Sequence, residues 1–171
     1  MLIEEILTGT RREFAVSQEI DPLRQSDALQ EVQLLAARVD AISSVAGLLF
    51  ELRTAMHLAE GNVALLVARG VREFSWSADA RSTDRTAWNV VGSEPESVDG
   101  LFVFELDLVP NAGLRLVAES AEFYSGNVEG LPEQLPDYVT DDDETIRSNL
   151  PGWRSSFSPI WATFIDRVPN Q

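Results

Sequence analysis

The side chains that could carry chemistry in this chain are almost all carboxylates and arginines. Glu105 and Asp107 stand two apart in an alternating stretch, which places them on one strand face about 7 Å apart. Paired carboxylates at such a separation can do acid–base work on a glycoside. The same alternation also describes the solvent side of a half-buried strand. The run Asp141-Asp142-Asp143-Glu144, with Asp137 just before it, could gather oxygens around a divalent cation. It lacks the spacers and glycine of an EF-hand loop. Its other readings are acids in the first turn of a helix capped by Thr140, where the helix dipole favours them, and a patch for a protein partner.

Trp153 lies in Pro151-Gly152-Trp153-Arg154, outside any regular period. Tryptophan and arginine are frequent interface anchors. The candidate partner-binding residues are therefore Asp137, Asp141, Asp142, Asp143, Glu144, Trp153 and Arg154. No residue is assigned as catalytic, cofactor-binding or metal-binding, and no cofactor is expected.

Composition removes several chemistries. The 171 residues carry 28 acids and 13 bases, a formal charge of −15, and every base is arginine. A Schiff-base lysine and a phosphate-loop lysine are thus impossible. With no cysteine there is no disulfide framework and no thiol chemistry. His57 is the one histidine, too few for a multi-histidine metal site. It reads as an ordinary helix-end or loop residue. The motifs G-x-G-x-x-G, H-E-x-x-H and G-x-S-x-G are absent. No apolar run approaches the roughly 20 residues that span a bilayer. The N-terminus has acids where a signal peptide has positive charge, so a cytoplasmic protein without membrane contact is expected.

The charge is concentrated. Residues 94–144 contain 14 acids against Arg115 alone, a net −13, and the rest of the chain is left with −2. Phosphate backbones would be repelled by that stretch, so direct nucleic-acid binding is not expected. A basic protein partner would be attracted.

The elements that must position these residues suggest a single α+β domain over residues 1–171. It would have a helical part over about 1–60, a β part over about 62–124, and a loop with short helices over 125–171. Leu29, Val32, Leu35, Val39 and Ile42 recur at helical spacing behind the cap Ser26. Residues 44–60 fit either a helix ended by Gly61 or a strand. In either case Glu51 and Arg53 sit in an apolar setting, where a buried charge needs a partner. The apolar run Val63–Val67 reads as a strand covered on both faces. Ala78–Arg85 reads as a loop, Ala87–Val91 as a short strand and Gly92–Gly100 as an acidic loop. Residues 101–123 read as a hairpin, with Phe102, Phe104, Leu106 and Leu108 facing inward. A five-residue turn would set Asp107 opposite Arg115. Ser158-Pro159 reads as the start of a last helix. The expected architecture is N-terminal helices, a mainly antiparallel sheet of four to six strands, and short C-terminal helices packed on it.

Function is expected from charge more than from motif. The leading expectation is a non-enzymatic interaction domain, of an inhibitor or immunity type, that meets a basic partner through residues 94–144. The rival is an enzyme or small-ligand binder whose carboxylates, with Arg53 or Arg115, line a pocket near Trp88 or Trp153. A structural, oligomer-forming protein is a third.

Overall fold

Seven strands and two short helices make up the computed structural model, which describes residues 1–13, 19–79 and 84–169. They are α1 (Ile3–Thr8), β1 (Gln33–Asp40), β2 (Val45–Glu51), β3 (Val63–Ala78), β4 (Trp88–Val98), β5 (Leu101–Val109), β6 (Ala112–Asn127), α2 (Asp143–Ser148) and β7 (Ser158–Ile165). All strand pairings are antiparallel. The sheet order is β3-β2-β1-β4-β5-β6-β7, and β3 pairs also with β6. The first six strands therefore close into a ring. Strand β6 faces β3 along its whole length; its other edge meets β5 over Ala112–Ala118 and β7 over Ala121–Asn127.

Closure makes two apolar layers. The inner layer includes Leu34, Leu48, Phe50, Leu66, Phe104, Leu116, Phe123 and Trp161. The outer one joins Leu49, Leu65, Val67 and Tyr124 of the sheet to Ile3, Ile6 and Leu7 of α1 and to Phe157. Strand β2 is consequently buried at every residue. The first six residues of β3 are likewise buried, which is the two-sided cover anticipated for Val63–Val67. Gly47 lets α1 approach: a Cβ there would stand 2.5 Å from a Leu7 methyl.

The α+β expectation is overturned, because the chain is mostly antiparallel sheet with two six-residue helices. The helix expected over Ser26–Ile42 does not form. Asp27 and Glu31 adopt positive φ, +60° and +65°, which a right-handed helix cannot accommodate. Turns run to Glu31, and β1 then zips onto β2 from Gln33. Pairing with β2 overrides the three-and-four spacing, as tertiary context commonly does. Residues 44–60 resolve into β2 followed by a loop. Gly61 does take positive φ, +90°, but in that loop, where a Cβ would clash with the Gly126 carbonyl at 2.6 Å.

The last helix is instead β7, an edge strand, where a proline near the start is tolerated. Trp161 and Ala162 are its buried residues, and Pro159 pairs with Gly126. The acidic loop Gly92–Gly100 is mostly strand β4, and only Asp99-Gly100 turns. The 101–123 hairpin forms, but with a two-residue turn at Pro110-Asn111. That shifts the register by two, so Arg115 faces Glu105 and Asp107 faces Gly113. Of the loop expected over Ala78–Arg85, residues 80–83 lie outside the described residues.

The ring makes a contrast testable. Phe104, fully buried in the inner layer, should cost about 3–5 kcal/mol when changed to Ala. Val39→Thr on β1, where the side chain is 48% exposed, should stay within about 0.5 kcal/mol. Denaturant titration of the two variants checks both.

Candidate functional site

Among the described residues the buried carboxylates are Glu51 and Glu122, and each is consumed by an arginine. Glu51 ends β2 with no exposure. Arg53, two residues on, grips it with Nε–Oε1 and Nη2–Oε2 contacts, each 2.8 Å, and its own backbone N–H donates to Oε1 at 2.8 Å. The rest of the guanidinium donates to the carbonyls of Pro132, at 2.6 Å, and Asn149, at 2.7 Å. Arg53 thus fastens the segment between β6 and β7 to the sheet. Nearby, the Tyr138 hydroxyl donates to Gln33 Oε1 at 3.3 Å. Glu122 of β6 accepts from Arg69 Nε at 2.6 Å and from the Tyr124 hydroxyl at 2.5 Å. Arg69 also donates to the carbonyls of Ile6 and Leu7 at the end of α1. Neither carboxylate has a face left for substrate.

A cleft of about 580 Å³ lies where β1 and β4 part. The two strands pair only at Gln33–Asn89 and Leu34–Trp88. Leu35, Ala36 and Leu49 form one wall, Trp88 and Tyr138 stand beside them, and Ile146, Leu150 and Trp153 close the far side. At the rim Asp143 meets Arg147 at 3.0 Å and Arg85 at 3.9 Å. Trp153 is held under the Arg38 guanidinium, 4.7 Å from the ring centroid, a cation–π contact.

A second surface is the outward side of β3, β4, β5 and β6. Register places Glu94 of β4 opposite Glu105 of β5, and Glu105 opposite Arg115 of β6. Arg115 pairs with Glu105 and reaches Glu73 at 3.3 Å. Glu96 and Asp107 share this outward side by the same alternation. All five carboxylates and the arginine are exposed. Two of those acids were the paired carboxylates weighed for glycoside chemistry. They lie on an open face, with Glu105 held by Arg115, and not in an enclosed site.

The sequence-predicted residues divide. Asp143 and Trp153 both line the cleft. Asp142, not Thr140, caps α2, accepting from the Thr145 N–H at 2.7 Å. Hydrogen bonds from Thr145 hold its carboxyl below the usual carboxylate range. Asp137 accepts from the Val139 and Thr140 N–H groups, bonds that lower its pKa, the Val139 bond most. Asp141 accepts from the Asp137 N–H at 2.8 Å. These aspartates organise their own loop and α2. Glu144 is exposed, and Arg154 extends from the other side of Trp153 towards Glu4, 3.9 Å away. Among the described residues no group of three or more acids or histidines is placed to hold a metal ion. His57 is exposed in the loop after β2. Trp88 and Trp153 line one cleft, but the arginines that line it with them are Arg85 and Arg147, not Arg53 or Arg115. Arg147 was signalled by its position four residues after Asp143, one helix turn on. Nothing in the local sequence pointed to Arg85, Tyr138 or Glu73.

No protein-family model and no curated protein matches the chain. A solved structure described as the crystal structure of an uncharacterized protein from Neisseria gonorrhoeae is similar, with a TM-score of 0.45 and 13% identity, over 58% of this chain and 94% of that one. Among the described residues no helix is long and apolar enough to cross a membrane.

Two predictions test this arrangement. Arg53→Met leaves the Glu51 charge buried and should cost about 3–5 kcal/mol in guanidinium denaturation, whereas adding Glu51→Leu should recover much of that loss. Both tyrosines of the chain are held neutral. Burial, then the Glu51 charge, pushes Tyr138 from 10.0 up to about 12; burial, then the bond to Glu122, raises Tyr124. An absorbance titration should therefore show no tyrosinate near pH 10. Because the folded values are raised, the stabilisation is complete below the unfolded tyrosine value of about 10 and is lost as pH rises towards the folded one.

Proposed function

We propose that the chain is a non-enzymatic interaction protein, and that its acidic sheet face docks a basic protein partner. The observation that carries this reading is the outward side of β3, β4, β5 and β6. Glu73, Glu94, Glu96, Glu105 and Asp107 stand exposed there, and Arg115, held between Glu73 and Glu105, is the arginine among them. Neighbouring strands lie about 4.8 Å apart, so the carboxylates form a compact negative field. Such a field steers an oppositely charged protein and selects against acidic ones. It repels nucleic-acid phosphates. Under this reading residues 137–144 contribute as a neighbouring acidic loop rather than as the centre of contact, since three of their aspartates are spent on local hydrogen bonds.

The experiment is a salt titration of the complex with a basic protein captured on the immobilised chain. The association constant should fall steeply with ionic strength. The triple variant Glu94→Gln, Glu96→Gln, Asp107→Asn should keep the wild-type unfolding midpoint and weaken binding by about tenfold or more. Binding that ignores ionic strength, or that is unchanged in the triple variant, overturns the proposal.

A further inference from the structure

Strand β1 is paired with β2 along its whole length, Gln33 to Asp40. Its other edge pairs with β4 only at Gln33 and Leu34. From Leu35 to Asp40 no described residue bonds to that edge. The bulge between Leu34 and Ala36 falls at the point where the strands part. An unpaired edge is a template for one more strand. Six residues at about 3.3 Å each give it some 20 Å of length.

The edge is also bordered by apolar surface on both faces. Outward, it runs into the cleft of about 580 Å³ walled by Ile146, Leu150 and Trp153. Inward, Ala37 and Val39 pair with Leu48 and Ala46 of the inner layer, yet both are exposed, Val39 by 48%. Residues that point to the core side of a sheet and still meet water mark a place where a neighbouring strand is missing.

We propose that this edge and cleft receive an extended segment of a partner polypeptide, which adds to β1 as an antiparallel or parallel strand and turns apolar side chains into the cleft. Backbone groups supply the affinity, and the cleft reads alternate side chains. The charged lining is balanced, Asp84 and Asp143 against Arg85 and Arg147, so the segment is recognised by its backbone and apolar side chains, not by charge. This site thus goes beyond the acidic face and does not depend on it. The occupant is a foreign chain and not a second copy, because two molecules of charge −15 repel one another.

A phage library of short random peptides, panned over the immobilised full-length protein in high salt, supplies the probe. Enriched peptides should be apolar at every second position. The tightest, made synthetically, should slow amide exchange at Leu35–Asp40 and leave the amides of Glu94, Glu105 and Asp107 unchanged. Its affinity should be nearly independent of salt, and Trp153→Ala should weaken it by about tenfold. Recovery of no binding peptide, or protection that maps away from β1, overturns the proposal. So does protection of Leu35–Asp40 that grows with protein concentration in the absence of peptide, since a second copy then fills the edge. The wild-type exchange map decides the matter even where Trp153→Ala does not fold. A loss of salt dependence in the basic partner's binding would count against the acidic face alone.

Discussion

The pairing of β3 with β6 is the constraint from which the other features follow. Each strand has 16 residues, and they face one another from Val63–Gly126 to Ala78–Ala112. Neither end of this ribbon can be covered by a single neighbour. Over its first half β3 takes β2 as its second partner; β6 takes β5 at one end and β7 at the other. The ribbon therefore belongs to two halves of the sheet at once and forces them to curl into a ring. The interior fills with Phe50, Phe104, Phe123, Leu66 and Trp161, so ligands must be met outside. One outcome is an outward face on the β5 side that carries acids. The other is a gap where β1 and β4 manage only two residue pairs.

The buried ion pairs act as tethers within that frame. Taking two charges out of water costs several kcal/mol per ion, so such a pair is weak evidence of net stability. Here both pairs are surrounded by further hydrogen bonds: Arg53 to carbonyls of the 129–150 segment, and Arg69 to carbonyls at the end of α1. The bonds join the sheet to the segment between β6 and β7 and to the end of α1. Their contribution is to fix which segment lies where. The cleft depends on this, since its far wall belongs to the segment that Arg53 holds.

Legibility from sequence tracked how local the determining interaction was. The 101–123 hairpin was readable because alternation and turn lie within one stretch. Its register was not, because a two-residue turn and a five-residue turn differ only in how Val109 to Ala112 bend. Val63–Val67 was readable as a two-sided strand from its unbroken apolar run. Glu51 and Arg53 were readable as a charge problem, and their two-residue spacing hinted at the answer. The 26–42 segment was misleading: its apolar residues recur at helical spacing, but Leu29 and Val32 are buried by turns while Val39 and Ile42 remain exposed. What decided it was pairing with β2 and positive φ at Asp27 and Glu31, neither visible in periodicity. The last segment failed similarly, since Trp161 and Ala162 are buried on opposite faces of β7, an arrangement that is not visible until β6 is known to offer an edge. In the candidate site, Trp153 and Asp143 were found by composition, while Glu73 and Arg85 come from distant stretches and carry no local mark.

The same distinction governs the charge. A net −13 over residues 94–144 describes a segment, whereas a partner meets a surface. Glu122 is spent on Arg69, Glu119 on Arg72 and Arg167, and Asp143 on Arg147. Asp137, Asp141 and Asp142 hold backbone N–H groups of their own loop. The most conspicuous acids in the sequence are thus largely committed to structure. The less conspicuous ones, separated by one residue along β4 and β5, are aligned by the pleat onto one side, and Glu73 joins them from a strand more than twenty residues earlier. Alternation converts spaced single acids into a contiguous face, and a consecutive run of acids into a helix cap and a turn. Consecutive charge is therefore the weaker guide to a docking surface in a β protein, and every-second-residue charge on adjacent strands is the stronger one.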